Sequence, residues 1–255
     1  MRTRALSRIA AYCDRLLNLS AFRDWSGALN GLQAENDGRV SRLAAAVDAG
    51  PTTLRMAAEA GADLLLVHHG LFWTPRQPWT GPARRLFRFL TEHNLAVYSA
   101  HLPLDAHPEL GNNIGLCRAL GFRNSAPFLE SPERGCALGL RVRSRISRER
   151  LLSRIESAVG TTPRLIPHGP TLCRSIGIAA GGAGELLAQA AAEGVDTFIT
   201  GEGPHWTFTL AEELGVNVFY AGHYATETFG VRALAEHLSR RFQLPWSFLD
   251  RPTGL

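Results

Sequence analysis

The chain has 255 residues, of which 45% are hydrophobic and 20% charged, and this composition predicts a folded globular protein with a sizeable core. All 27 basic residues are arginines, and the absence of lysine excludes a Walker A loop and Schiff-base chemistry. No apolar run approaches the ~20 residues that span a bilayer, and a net charge of +4 is too modest to indicate nucleic-acid binding. The four cysteines are scattered without a Cys-x-x-Cys pair, which predicts reduced thiols and a cytoplasmic protein.

The predicted elements begin with an amphipathic helix whose apolar face is formed by Ala5, Ile9, Tyr12 and Leu16. A strand–helix–strand unit follows, and it occurs twice, because residues 43–73 align without a gap with residues 176–206. The identical pairs include Gly61 with Gly194, Asp63 with Asp196, Gly70 with Gly203 and Trp73 with Trp206.

Each copy reads as a strand, a turn, an Ala-rich helix, a glycine and a second apolar strand. The predicted ranges are 43–47, 52–60 and 63–67 in the first copy, and 176–180, 184–193 and 196–200 in the second. A glycine is typical of a helix C-terminus, and a continuous apolar run is typical of a buried parallel strand. The pattern therefore predicts a βαβ unit that is made twice.

A second pair of similar segments extends both copies. VYSAHLPLD (97–105) resembles FYAGHYATE (219–227), and predicted helices follow at 111–120 and 226–240, with an extra strand at 137–143. We therefore predict an α/β fold with two pseudo-symmetric α/β units from an internal duplication, and a metal site between them. The predicted domains are residues 1–123 and 124–255, and the C-terminal helix could pack on the first unit.

Two adjacent histidines, His68 and His69, directly follow the predicted strand that ends at Val67. Neighbouring side chains on extended backbone point to opposite sides, so the pair could serve two metal ions, or one ion if the backbone turns. The alternative is a pair of hydrogen-bonded loop histidines without a ligand role.

A histidine followed four residues later by a carboxylate occurs after both strands of the second pair, as His101 with Asp105 and His223 with Glu227. If the chain turns helical there, the two side chains share one face, which suits Zn, Mn or Fe. An acidic residue at a helix N-terminus is the alternative explanation for each pair alone. Recurrence at strand ends, where α/β sheets bind ligands, favours metal binding.

Four imidazoles and two carboxylates exceed what one catalytic ion needs, so two divalent metal ions per chain are the better prediction. Glu202 and His205 occupy the loop of the second copy that corresponds to the His68-His69 loop. They are candidate proton carriers, and a histidine at a helix start explains His205 equally well. Trp73 and Trp206 could stack a planar base, although packing in the core or at an interface is the simpler explanation for both.

Together these motifs resemble those of the Nif-three-like dinuclear metal-centre proteins, which are often named GTP cyclohydrolase I type 2 homologues. The resemblance covers nearly the whole chain. The matching motifs are Asn30-Gly31-Leu32-Gln33 (NGLQ), His68-His69-Gly70 (HHG), Ala100–Asp105 (AHTxLD), Gly201-Glu202 with His205 (GExxHH), and Gly222–Glu227 (GHYxTE). The chain departs from the family pattern at Leu102, where the family has threonine, and at Trp206, where it has histidine.

The resemblance implies a homohexameric toroid with a dinuclear metal site in each chain. The ligands that it implies are His68, His69, Asp105, His223 and Glu227, with Glu227 bridging the two ions. A further histidine of the family, matched here by His101, lies close to the metals.

The function that these observations predict is metal-dependent hydrolysis of a small molecule, with His101, Glu202 and His205 as the candidate catalytic residues that move protons. The family name points to a nucleotide such as GTP, from which ring opening would release formate, and a phosphoesterase is the variant. The competing hypothesis is a non-catalytic hexameric metal-binding scaffold or a regulatory protein that binds a partner.

Overall fold

The computed structural model describes residues 3–73 and 78–255. The strands are β1 Arg4–Ala5, β2 Gly31–Ala34, β3 Arg39–Val40, β4 Leu43–Asp48, β5 Leu64–His69, β6 Ala96–Ser99, β7 Ala126–Ser131, β8 Cys136–Ser147, β9 Arg164–Pro167, β10 Leu172–Ile178, β11 Thr197–Thr200, β12 Asn217–Tyr220 and β13 Trp246–Phe248. The helices are α1 Leu6–Leu16, α2 Pro51–Glu59, α3 Gly81–Glu92, α4 Leu102–Asp105, α5 Asn112–Ala119, α6 Arg148–Val159, α7 Leu187–Ala192, α8 Thr207–Leu214, α9 His223–Thr226 and α10 Thr228–Phe242.

The chain forms two compact units, and each has its own sheet. The first comprises Met1–Leu104 and Gly230–Arg251, and the second comprises Asp105–Phe229 and Pro252–Leu255. The domain division at 123/124 stays a prediction, and the compact units have different bounds.

The sheet of the first unit has the order β13-β4-β5-β6-β2. Its first four strands are parallel, and β2 runs antiparallel to β6 at the edge. Strands β4, β5 and β6 bury almost every side chain because they carry continuous apolar runs, as expected for parallel strands between helices. The helices α2 and α3 make the crossovers, and Leu54, Leu65 and Leu90 contribute to the core that they cover.

The sheet of the second unit has the order β7-β8-β10-β11-β12-β9. Its centre, β10-β11-β12, is parallel, and antiparallel strands flank it on both sides. The predicted extra strand at 137–143 is the middle of the long β8. Both units therefore contain three consecutive parallel strands joined by helices, and the α/β fold class is confirmed. The internal duplication stays a prediction.

Corresponding aspartates make the same hydrogen bonds in the two units. Asp63 Oδ2 accepts from the backbone N–H of Ser41 and Arg42 at 2.6 and 3.0 Å. Asp196 Oδ2 accepts from the backbone N–H of Arg174 and Ser175 at 2.9 and 3.0 Å. Asp63 thus fixes the start of β5 against the segment that leads into β4, and Asp196 fixes the start of β11 against the first half of β10.

The glycines at the ends of the two corresponding helices also match. Gly61 has φ +65° and Gly194 has φ +81°, so both adopt the left-handed conformation that favours glycine. Helix termination by a left-handed glycine, predicted from the sequence, is present in both units.

The predicted apolar face of α1 is only partly right. Ile9 is buried, but Ala5 is exposed, and Tyr12 and Leu16 are half-buried. The buried stripe of the helix is rotated, and its residues are Leu6, Ile9, Ala10 and Cys13. Tyr12 lies at the edge of this stripe, where its hydroxyl makes a 2.7 Å hydrogen bond with His237 Nε2.

None of the helices in residues 3–73 and 78–255 combines the length and the apolar character needed to cross a membrane.

Replacing Asp63 or Asp196 with alanine should destabilise the fold, because each change leaves two backbone N–H groups, at least one of them half-buried, without their acceptor. We expect each variant to lower the free energy of unfolding by about 1–3 kcal/mol, measured by urea denaturation. Glu59→Ala, on the exposed face of α2, is the control and should change it by less than about 0.5 kcal/mol. An aspartate variant as stable as this control would contradict the role assigned to the carboxylates.

Candidate metal centre

Three histidines of the first unit gather at the carboxyl ends of neighbouring parallel strands. His68 and His69 are the last residues of β5, and His101 follows β6. Their imidazole centroids are 4.8 to 5.7 Å apart. One ligand nitrogen of each lies within 4.8 Å of those of the other two. The two adjacent histidines of β5 therefore serve the same cluster, although neighbouring residues of a strand point in opposite directions.

Hydrogen bonds set the orientation of these three rings. His68 is fully buried, and its Nδ1 lies 2.9 Å from the carbonyl oxygen of Ala100. A carbonyl can only accept, so His68 Nδ1 carries the proton and the lone pair of the neutral ring lies on Nε2. The Nδ1 atom of His69 lies 2.8 Å from Asp48 Oδ1, which places its proton in the same way. Such partners fix the tautomer and aim of metal-binding histidines.

Asp24 holds His101 and the chain around it. Its Oδ1 lies 2.8 Å from His101 Nδ1, and its Oδ2 accepts from the backbone N–H of Leu102 and from Asn30 Nδ2. Burial acts to raise the pKa of Asp24. The hydrogen bond and charge of His101, together with hydrogen bonds from Asn30 and the backbone N–H of Trp25, outweigh burial and hold the pKa below its usual value. The carboxylate is therefore kept ionised beside the imidazole.

The Asn30-Gly31-Leu32-Gln33 motif explains how the two histidine loops are held. Asn30 Oδ1 accepts from the backbone N–H of His101 at 2.7 Å. Gln33 Oε1 accepts from the backbone N–H of Leu71 at 2.6 Å, just after the adjacent histidines. A Cβ atom on Gly70 would lie only 2.3 Å from Gln33 Nε2, so the glycine of the HHG motif leaves room for this clamp.

In the second unit, His223 lies between two carboxylates. Its Nδ1 is 2.7 Å from Glu202 Oε1, and its Nε2 is 3.1 Å from Glu227 Oε1. Burial acts to lower the pKa of His223, but the hydrogen bonds and negative charges of Glu227 and Glu202 outweigh it and raise the pKa to about 9. The one-turn helix α9 brings His223 and Glu227 together, as the four-residue spacing predicts.

Glycines make room for the turn that carries His223 and Glu227. A Cβ atom on Gly181, which has φ +69°, would lie 2.2 Å from Glu227 Oε1. A Cβ atom on Gly201 would lie 2.6 Å from the Cα atom of His223. The glycine-rich loop after β10 therefore packs its backbone directly against these two side chains.

The remaining predicted site residues have different surroundings. Asp105 ends α4, and its Oδ1 accepts from Asn112 Nδ2 at 2.8 Å. Glu202 is half-exposed and bonded to His223, so its position suits orientation of that imidazole as well as proton transfer. His205 is exposed in the turn before α8, and no side-chain hydrogen bond of His205 is found in the described part of the chain.

Asp24 and Asp48 are the residues that sequence reasoning missed. They follow no spacing rule, since 77 residues separate Asp24 from His101 and 21 separate Asp48 from His69.

The donors of the first unit fit a metal ion of the Zn, Mn or Fe type. Nitrogens that bind one ion tetrahedrally at about 2.0–2.1 Å lie about 3.4 Å apart, so donors within 4.8 Å of one another would have to approach by at most about 1.4 Å. Imidazole and carboxylate are the ligands that these ions share. The structure therefore contains clusters of histidine and glutamate that could hold metal.

Replacing Glu202 with glutamine should lower the pKa of His223 from about 9 toward its ordinary value of 6.5. Glutamine keeps an oxygen that can accept from Nδ1 but removes the negative charge. The measurement is a histidine NMR titration of metal-free protein, with Glu212→Gln on the exposed surface of α8 as the control. An unchanged His223 pKa would show that Glu202 does not stabilise the imidazolium.

The same raised pKa has a consequence for stability without metal. Protonated His223 should stabilise the folded state fully below pH 6.5, and this contribution should disappear as the pH rises through about 9. Glu202→Gln should flatten that part of the pH–stability profile, whereas Glu212→Gln should leave it unchanged.

Comparison with known proteins identifies the family. Relatives named "GTP cyclohydrolase 1 type 2 homolog" include one from Deinococcus radiodurans, 42% identical over 97% of this chain and 93% of its own length, and one from Treponema pallidum, 38% identical over 96% and 98%. A crystal structure of a Thermus thermophilus protein superposes with a TM-score of 0.90 at 39% identity, covering 99% of this chain and all of the other. The model of the Duf34/NIF3 (NGG1p interacting factor 3) family matches residues 4–253, and the chain belongs to this family.

Proposed function

We propose that this protein binds two divalent metal ions and hydrolyses a small molecule with them. The proposed ligands are His68, His69, Asp105, His223 and Glu227, with Glu227 bridging. Zn, Mn and Fe all suit this donor set. We further propose that the protein acts in the cytoplasm as a homohexamer, as the family resemblance implies.

The observation that carries the proposal is the orientation of the buried histidines. A core histidine needs only a hydrogen bond, but His68, His69 and His101 each bond through Nδ1 and gather their ligand nitrogens within 4.8 Å. With its proton on Nδ1, each neutral ring keeps a lone pair on Nε2, which is the form of imidazole that binds a metal ion. The cluster is therefore better explained by metal than by packing.

We propose that Asp105, His223 and Glu227 complete the same centre. Two features support this assignment. Each proposed ligand follows a parallel strand, where open α/β sheets bind their ligands. The segments also match the family motifs AHTxLD and GHYxTE, which carry ligands in that family.

Two bound ions would supply an activated water and positive charge that polarises the substrate. The residues of this chain orient and protect that chemistry. Asp24 fixes the ring of His101, whose position beside His68 and His69 makes it the candidate best placed to take or return a proton. Glu202 orients His223, and the exposed His205 is the less favoured proton carrier.

The names of the relatives suggest a nucleotide such as GTP as the substrate, with hydrolytic opening of a purine ring and release of formate. Cleavage of a phosphoester would use the same ions and is the variant to test beside it. A metal-binding scaffold without activity is the competing function.

The variants His69→Ala and His223→Ala should each reduce the metal content of protein purified without chelator, from about two equivalents per chain to one or fewer. Each removes one proposed ligand, and a lost ligand weakens binding of the ion that it holds. The measurement is elemental analysis after gel filtration. His93→Ala is the control, because that exposed histidine bonds the carbonyl of Phe89 and stacks on its ring at the end of α3, and it is not a proposed ligand.

Full metal content in both ligand variants would contradict the proposed centre. Wild-type protein loaded with Mn, Zn or Fe should also convert GTP or a member of a phosphoester panel, and the variants should lose that activity. A protein that binds two ions and converts none of these compounds would favour the scaffold.

A further inference from the structure

Two half-exposed tryptophans lie beside the histidine cluster of the first unit. Trp25 and Trp73 are 46% and 45% exposed, although tryptophan is on average a largely buried residue. The centroids of their rings lie 5.4 and 4.8 Å from that of His101. Trp73 also lies 5.1 Å from His69. The tryptophans therefore line the rim of the candidate metal centre.

Both indoles meet His101 edge to face. The interplanar angles are 69° for Trp25 and 78° for Trp73, so neither indole stacks flat on the imidazole. Such an arrangement, with about half of each residue exposed, leaves indole surface that a planar group bound at the histidine cluster can reach.

The backbone holds the two tryptophans in place. The Trp25 N–H donates to Asp24 Oδ1 at 2.8 Å, the same carboxylate oxygen that contacts His101. The turn that begins at Trp25 packs on the backbone of Trp73, because a Cβ atom on Gly27 would lie only 2.3 Å from the Trp73 carbonyl oxygen. Two tryptophan segments and a site histidine thus share one network of contacts, which is expected of a preorganised subsite rather than of surface packing.

We propose that Trp25 and Trp73 form an aromatic subsite that binds a planar, uncharged heteroaromatic ring of the substrate. This inference rests on the proposed function, because it places the substrate at the histidine cluster with its planar ring against the indoles. Stacking of a base on an aromatic side chain contributes about 1–3 kcal/mol, largely independent of which base it is.

The positive charge of the proposed metal centre favours a neutral ring over an ammonium group as the occupant of the subsite. Indole faces also attract ammonium groups, but a cation would be repelled by divalent ions at the adjacent histidines.

The exposed area of the two indoles argues against a second copy of the chain as the occupant. Two half-exposed indoles offer about 200 Å², whereas a stable interface needs about 800 Å² on each partner.

The test compares two probes that differ only in the ring, guanosine 5′-monophosphate and ribose 5-phosphate, by calorimetry on the metal-loaded full chain. The wild type should bind the nucleotide at least about fivefold more tightly, the lower end of what stacking supplies. Trp25→Leu/Trp73→Leu should abolish this preference, and Trp25→Phe/Trp73→Phe should keep part of it because phenylalanine retains an aromatic face. Trp79→Leu is the matched control, since Trp79 is exposed but stacks on Phe87.

Equal affinity of the two probes for the wild type, including no binding of either, would overturn the proposal. A preference that survives in the leucine pair would also overturn it, as would a leucine pair that changes only the oligomeric state. Affinity for ribose 5-phosphate and metal content report on the metal centre alone. The wild type could show no ring preference while the His69→Ala and His223→Ala variants lose metal. That result would reject the aromatic subsite and still support the metal centre.

Discussion

The candidate site depends on one constraint, a hydrogen bond at the Nδ1 atom of each of four histidines. The acceptors are the carbonyl of Ala100 for His68 and the carboxylates of Asp48, Asp24 and Glu202 for His69, His101 and His223. Each bond fixes the rotation of a ring and turns its Nε2 atom to the opposite side. Without these partners the imidazoles would be mobile donors, and a metal ion would have to order them at a cost in entropy.

The rest of the fold keeps these acceptors in position. Parallel strands bring their carboxyl ends to one edge of each sheet, so the residues that follow them converge. The Asn30-Gly31-Leu32-Gln33 motif then ties the loops of the first unit together through Asn30 and Gln33. In the second unit, Gly181 and Gly201 let the backbone approach His223 and Glu227 more closely than any side chain would allow. The glycines of the motifs thus serve close packing around the site.

The sequence predicts the elements that carry the site because local patterns determine them. Each of these patterns is recognisable within a few residues. They are the apolar runs of β4, β5, β10 and β11 and the glycines that follow helices α2 and α7. The turn that joins His223 to Glu227 follows from their spacing. The face of α1 was predicted less well, since its apolar residues fit more than one stripe and tertiary packing selects between them.

The partners of the histidines could not be predicted in the same way. Asp24 and Asp48 reach their imidazoles across long stretches of chain, and no periodicity relates a carboxylate to a histidine on another strand. The exposure of Trp73 beside the histidines could not be predicted either, because it cannot be read from one strand end.

The most direct test of the account is anomalous X-ray diffraction from crystals of the protein grown with Mn or Zn. The account predicts two anomalous peaks per chain, bonded at about 2.0–2.2 Å to the Nε2 atoms of His68, His69 and His223, with each Nδ1 still bound to its acceptor. Peaks bonded through Nδ1, or histidines that keep these positions with no metal beside them, would contradict it.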